Sequence, residues 1–115
     1  MIYYDSQFLK HNQYKGYWYF MSINFDIEKE TEVIKKQSIF VYVAIPKGHL
    51  YDQVKTEYIT GIKLDPPIVL NFSGIMGHQW AIGFKYDTTE ESKHKDIGMC
   101  DHRAKQLIDQ IIEKA

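Results

Sequence analysis

Seven consecutive apolar residues, Ile39 to Ile45, stop abruptly at Pro46-Lys47-Gly48-His49. A run apolar at every position, not at every second one, is a strand buried on both faces. Proline cannot donate to a ladder, so Pro46 marks where it ends. A central strand needs partners on both sides, and the chain must supply them around this segment.

The first partner is Tyr17 to Phe25, which alternates. Tyr17, Tyr19, Met21, Ile23 and Phe25 share one face, while Trp18, Phe20, Ser22 and Asn24 share the other. Asp26 to Gln37 is charged and reads as a long hairpin loop or ragged strand ends. Downstream, Asp65-Pro66-Pro67 is a stiff lead into Ile68, Leu70 and Phe72, which alternate with Val69 and Asn71. Gly74 to Gln79 makes a turn. Trp80, Ile82, Phe84 and Tyr86 then form the large-residue face of a further strand, with Ala81 and Gly83 opposite. The first 13 residues are mixed, with Phe8 and Leu9 in a short helical turn. Leu50 to Ile59 carries another, because Tyr51, Val54 and Tyr58 recur at spacings of three and four. Asp87 to Asp96 is polar and reads as a mobile loop.

Ala104, Leu107, Ile108, Ile111 and Ile112 lie at i, i+3, i+4, i+7 and i+8, the stripe of an amphipathic helix. Asp101 suits its N-cap, Gly98 a break before it, and Lys114 the negative end of its dipole. The fold expected is α+β: an antiparallel sheet of about four strands with the C-terminal amphipathic helix packed on one face. At 115 residues, positions 1–115 form a single domain.

Composition narrows the function. The net charge of −1 suits neither a duplex-nucleic-acid binder nor an acidic DNA mimic. Arg103 is the only arginine, so phosphate forks that need several Arg are excluded within one chain. The single Cys100 cannot make an internal disulfide. Met1 to Asp5 has neither a basic region nor a following apolar block, and no run reaches the ~18 apolar residues of a membrane span. A cytoplasmic protein without membrane association is expected.

The chemistry worth following sits at strand ends. His49 beside Lys47 and Gly48 would place an imidazole and an ammonium at a pocket rim, where they could meet a phosphate or exchange a proton. His78, in Gly77-His78-Gln79-Trp80, could join His49 across the sheet end. Cys100-Asp101-His102-Arg103 is a helix start and not a nucleophile with its base, because residues two apart do not share a helical face. His102 and Arg103 are expected at the surface and Cys100 buried or capped. No ligand spacing for a metal, no GxSxG elbow and no phosphate-cradling glycine loop is present. The candidate ligand-binding residues are therefore Lys47, Gly48, His49, Tyr51, Gly74, His78, Trp80 and Lys85, with no catalytic or metal-binding residue and no cofactor.

The segment from Tyr42 to Tyr51, followed by Trp80-Ala81-Ile82-Gly83-Phe84 and a closing helix, resembles a family of small proteins encoded in phage and prophage genomes. The shared pattern is a strand ending in Pro-x-Gly-His, a Gly-rich turn, then Trp-x-Ile-Gly-Phe. It covers roughly 39 to 112, and Gly48, His49, Gly74, Trp80, Gly83 and Phe84 match it. Lys85 stands where that pattern has Asp, and Ser73 where it has Gly. The resemblance implies a phage accessory gene acting in the host cytoplasm. Such a protein would sequester a nucleotide-like host signal without catalysis, in a pocket that a homodimer could share. Alternatives are inhibition of a host defence protein through the aromatic sheet face of Gly16 to Phe25, anchored by Trp18 and Tyr residues, and a small phosphoesterase using His49 and His78.

Overall fold

The computed structural model describes residues 1–65 and 67–114; Pro66, within the expected Asp65-Pro66-Pro67 lead, lies outside them. Five strands run β1 (Ile2–Tyr14), β2 (Tyr17–Glu28), β3 (Val33–Ile45), β4 (Phe72–Met76) and β5 (Gln79–Thr88), followed by one long helix, α1 (Lys93–Glu113). The sheet is antiparallel with order β1-β2-β3-β5-β4. The fold is therefore α+β, with the helix packed across β3 and β5, and has one strand more than expected.

The additional strand is β1, which replaces the mixed segment and helical turn expected at the N-terminus. It is an edge strand, exposed along most of its length, so burial imposes no alternation that a sequence could display. What fixes it is the turn. Lys15 and Gly16 both adopt positive φ, 51° and 84°, between the paired Tyr14 and Tyr17. A two-residue hairpin needs that left-handed pair to match the strand twist, and glycine takes it without strain.

The charged stretch Asp26 to Gln37 proves to be two strand ends joined by a four-residue turn, with Glu28 paired to Val33. The turn expected over Gly74 to Gln79 shrinks to Gly77-His78, because Ile75 and Met76 pair with Trp80 and Gln79. Before it, only Phe72 onward joins the ladder; Ile68 and Leu70 pack against the core outside any strand. Thr56–Tyr58 is a single 3₁₀ turn within the expected helical stretch.

The helix begins eight residues before Asp101, so the expected cap and breaker fall in its interior. Gly98 there is exposed and leaves open space around it. Its cost of about 1 kcal/mol relative to alanine is offset by tertiary packing of the other face. The polar segment expected as a mobile loop instead builds the helix start. Asp96 Oδ2 accepts from the Thr88 hydroxyl at 2.7 Å and the Ser92 hydroxyl at 2.8 Å, and the Ser92 amide donates to Thr89 Oγ1 at 3.1 Å.

One buried cluster joins Met21, Ile23, Ile39, Val41, Val43, Ile82 and Phe84 of the sheet to Ala104, Leu107, Ile108 and Ile111 of α1. Arg103, expected exposed, is 2% exposed, because it continues the Leu107 and Ile111 row at four-residue spacing; Ile112 is 36% exposed. The long connection from β3 to β4 also lies on the helix side. The Gln110 side chain exchanges two 2.7 Å hydrogen bonds with the Lys63 backbone, and Gln106 Oε1 accepts from the Asp65 amide at 3.1 Å. No helix among the described residues is long and apolar enough to cross a membrane.

Candidate functional site

The turn after β3 places His49 first. Its Nδ1 accepts the Tyr51 amide at 3.0 Å, so that nitrogen carries no proton. The proton is on Nε2, which donates to the Ile111 carbonyl oxygen at 2.9 Å. Both ring nitrogens are thus committed, and the imidazole fastens the turn to the last turn of α1, sharing the Ile111 carbonyl oxygen with the Lys114 amide, which reaches it at 3.2 Å. Tyr51 is buried in the core beside it. His49 and His78 make no hydrogen bond or ring contact with each other among the described residues.

Three other expected residues do converge. Lys47, His78 and Trp80 line a cavity of about 320 Å³ at the end of β3 and β5, together with Ile45, Asp52 and Gln53 among others. The Trp80 indole N–H donates to the Val54 carbonyl oxygen at 3.0 Å, which fixes the ring. Gly48 contributes an amide to Asp52 Oδ2 at 3.1 Å. Gly74 and Lys85 belong elsewhere. Gly74 sits beneath the Phe72 ring, and Lys85 lies 6.0 Å from the Phe40 ring centroid.

Those two residues face the side of the sheet that neither α1 nor the β3–β4 connection covers. The pairing aligns one residue from each strand there: His11 with Phe20, Phe20 with Tyr42, Tyr42 with Gly83, and Gly83 with Phe72. A single cross-strand row spans all five strands, and four of its five members are aromatic rings. His11 stacks on Phe20 at 4.4 Å between centroids, and Trp18 lies 4.6 Å from His11. Tyr42 and Phe72 meet edge to face at 4.7 Å across Gly83. A Cβ at Gly83 would collide with the Val41 carbonyl oxygen, so this strand position admits only glycine, and the flanking rings close the gap. The next row adds Phe8, Ser22, Phe40 and Lys85.

Exposure on this face is high for large apolar side chains: 63% for Phe8 and 41% for Trp18. Burial against neighbouring rings raises the Tyr42 hydroxyl above its ordinary pKa. Two carboxylates face two lysines near the rings: Asp87 lies 3.8 Å from Lys36 and 3.9 Å from Lys85, and Asp26 is the cross-strand partner of Lys36. The expected anchors divide. Trp18 is on the open face, whereas Tyr17 and Tyr19 point to the helix side, as period-2 alternation requires.

Tyr19 instead donates to Asp101 Oδ1 at 2.6 Å, and Lys10 meets the same oxygen at 2.9 Å. Burial first, then this hydrogen bond, pushes the Tyr19 phenol up to about 12. For Asp101, burial alone would raise the carboxyl, but the bonds from Tyr19, Lys10 and Lys105 outweigh it and hold the group below its ordinary value. The cluster ties the β1–β2 hairpin to the helix. Cys100 is fully buried, and burial pushes its thiol up to about 12, far from a nucleophile's range. No group of three His, Cys, Asp or Glu side chains among the described residues could hold a metal.

Sequence reasoning missed His11, Phe40, Tyr42 and Phe72 as surface residues. Trp18 and Phe20 were a visible signal, because they alternate with the core face of β2. His11 gave none until β1 was known to be a strand. Compared with protein-family models, with curated proteins and with solved structures, the chain has no match.

Proposed function

We propose that this protein is a non-catalytic binding protein that docks another protein on its open sheet face. The observation that carries the reading is the aromatic row from His11 to Phe72, which crosses all five strands with no covering element among the described residues. Interfaces concentrate aromatic residues at their centre and place polar groups at the rim. Here the rings lie centrally, and Lys36, Lys85 and Asp87 sit at one end. At ~4.8 Å per strand the sheet is about 24 Å across, and six residues along it span about 20 Å, a footprint on the order of 500 Å² before side-chain relief. That is the scale of one side of a standard interface of ~800 Å².

A protein fits this surface better than a nucleic acid strand does. Stacking alone would suit bases, but a polyphosphate needs surplus cations, and Lys36 and Lys85 here face Asp26 and Asp87. If the gene is a phage accessory gene, the partner is a host defence protein.

The experiment is affinity capture from bacterial lysate with the wild type, a Trp18→Ser/Phe40→Ser variant and a Lys47→Glu variant, each checked for native fold by circular dichroism. Capture of one protein by the wild type and Lys47→Glu, lost in the open-face variant, supports the reading. Equal capture by all three overturns it. So does capture of nothing by a wild-type protein that sediments as a dimer and dissociates in the open-face variant, which would make a second copy the occupant.

A further inference from the structure

The cavity at the opposite face and end of the sheet is left unused by that reading. We infer that it binds a small aromatic anion of the nucleotide class, with Trp80 and Ile75 receiving the ring and Lys47 and His78 the phosphate. The inference does not rest on the docking face.

The cavity is built from three chain segments that close on the ends of β3 and β5: the turn carrying Lys47, the turn carrying Asp52 and Gln53, and the β4–β5 hairpin turn carrying His78. Its volume of about 320 Å³ falls at the lower end of the ~300–1,000 Å³ of small-molecule sites. Three features define what this cavity can hold.

First, Gln53 holds a left-handed backbone, φ 63°, at the cavity wall. Lys15 and Glu32 hold the same conformation in the hairpin turns, and here it reverses the chain so that Gln53 reaches the cavity wall. Second, the supporting groups are already committed while the outer ones are not. Asp52 Oδ2 accepts the Gly48 amide at 3.1 Å, bracing the turn that carries Lys47, and the Trp80 N–H is bound to Val54 at 3.0 Å. By contrast, neither Lys47 nor His78 has a carboxylate within 4.0 Å among the described residues. Third, the wall is divided between an apolar part and a polar part in which Asp52 is turned to the Gly48 amide. Ile45, Ile75 and Trp80 form one part, and an ammonium and an imidazole the other. A base stacks on the former, and a phosphate takes a charge-assisted hydrogen bond from the Lys47 ammonium and a further one from the His78 ring N–H. Inorganic phosphate would use only half of this wall.

The test uses the full chain as a Trp18→Phe variant, in which Trp80 is the only indole and its fluorescence reports the cavity directly. AMP, ADP-ribose and cyclic di-AMP are titrated separately, with inorganic phosphate as the comparison. The expected result is saturable quenching by at least one nucleotide, with half-saturation in the micromolar range. Adding Lys47→Glu weakens it about tenfold or more, the worth of one charged hydrogen bond. Phe20→Ser, on the open sheet face, leaves it unchanged. Three outcomes overturn the proposal: no saturable change with any of the three nucleotides, equal affinity for inorganic phosphate, or undiminished binding in Lys47→Glu. Loss of binding in Phe20→Ser with native circular dichroism would move the nucleotide to the docking face instead. Failure here leaves capture of a protein by the open face untouched, so the two readings fail separately.

Discussion

His49 Nε2 donates to the Ile111 carbonyl oxygen at 2.9 Å, so the residue that looks most chemical in the sequence closes the fold. The bond joins the end of the central strand to the end of the helix that covers it. His49→Ala is expected to lose about 1–2 kcal/mol, the worth of one or two hydrogen bonds. The urea midpoint should fall with an unchanged slope, while affinity for nucleotide or captured protein stays at the wild-type level. Lost binding in a folded His49→Ala protein would return this residue to the site.

Asp101 predicts an acid limb. Its folded pKa lies below the ordinary 3.8 because Tyr19, Lys10 and Lys105 outweigh the effect of burial. A depressed carboxylate contributes stability that is present above the unfolded pKa and lost as pH falls through the folded one. Stability should therefore decline below about pH 4. Asp101→Asn should be less stable at neutral pH and show a shallower decline in acid. Urea denaturation at pH 7, 4 and 3 checks both.

Tyr19 and Cys100 predict the opposite limb. Both have folded pKa values raised to about 12, from 10.0 and 9.0. Raised groups contribute stability fully present below their unfolded values and lost as pH climbs through the folded ones, so alkaline unfolding should set in above about pH 9 and progress toward 12. At pH 8 the buried thiol should resist iodoacetamide until urea unfolds the chain. Rapid alkylation of the native protein would contradict its burial.

Gly83 and Gly74 are both strand glycines and should respond differently. A Cβ at Gly83 meets main-chain atoms, including the Val41 carbonyl carbon at 2.9 Å, and neither strand can retreat. Gly83→Ala should reach the upper part of the ~1–3 kcal/mol of overpacking, or exceed it. At Gly74 the nearest atom is the tip of the Phe72 ring at 3.3 Å, which can turn aside, so Gly74→Ala should cost well under half as much. Thermal midpoints of the two variants decide this.

What the sequence displayed followed burial. Ile39 to Ile45 showed the central strand, Tyr17 to Phe25 its neighbour, and Leu107 to Ile111 the helix, because each has a dry face that dictates a period. β1 was invisible for the converse reason: an edge strand exposed along most of its length needs no period, and only the Lys15-Gly16 turn betrays it. Asp101 and Gly98 misled the helix start because capping residues also serve inside helices, where Asp101 bonds across to Tyr19. Of the expected site, Lys47, His78 and Trp80 met because strand ends collect turns. His49 and Tyr51 turned toward the helix, a direction that depends on the turn's own hydrogen bonds and on nothing visible in residue order. The aromatic row required register. Trp18 and Phe20 were legible as the outer face of β2, but their alignment with His11, Tyr42 and Phe72 exists only once four pairings are set.

If the aromatic row is where a partner sits, its rings leave solvent when the complex forms. Hydroxyl-radical footprinting tests it most directly, by comparing oxidation of each side chain in the free protein and in the complex captured from bacterial lysate. Trp18, Phe40, Tyr42 and Phe72 should be strongly protected in the complex, with Trp80 oxidised equally in both. Unchanged oxidation of those four rings, with protection confined to the helix or to the Trp80 cavity, would contradict it.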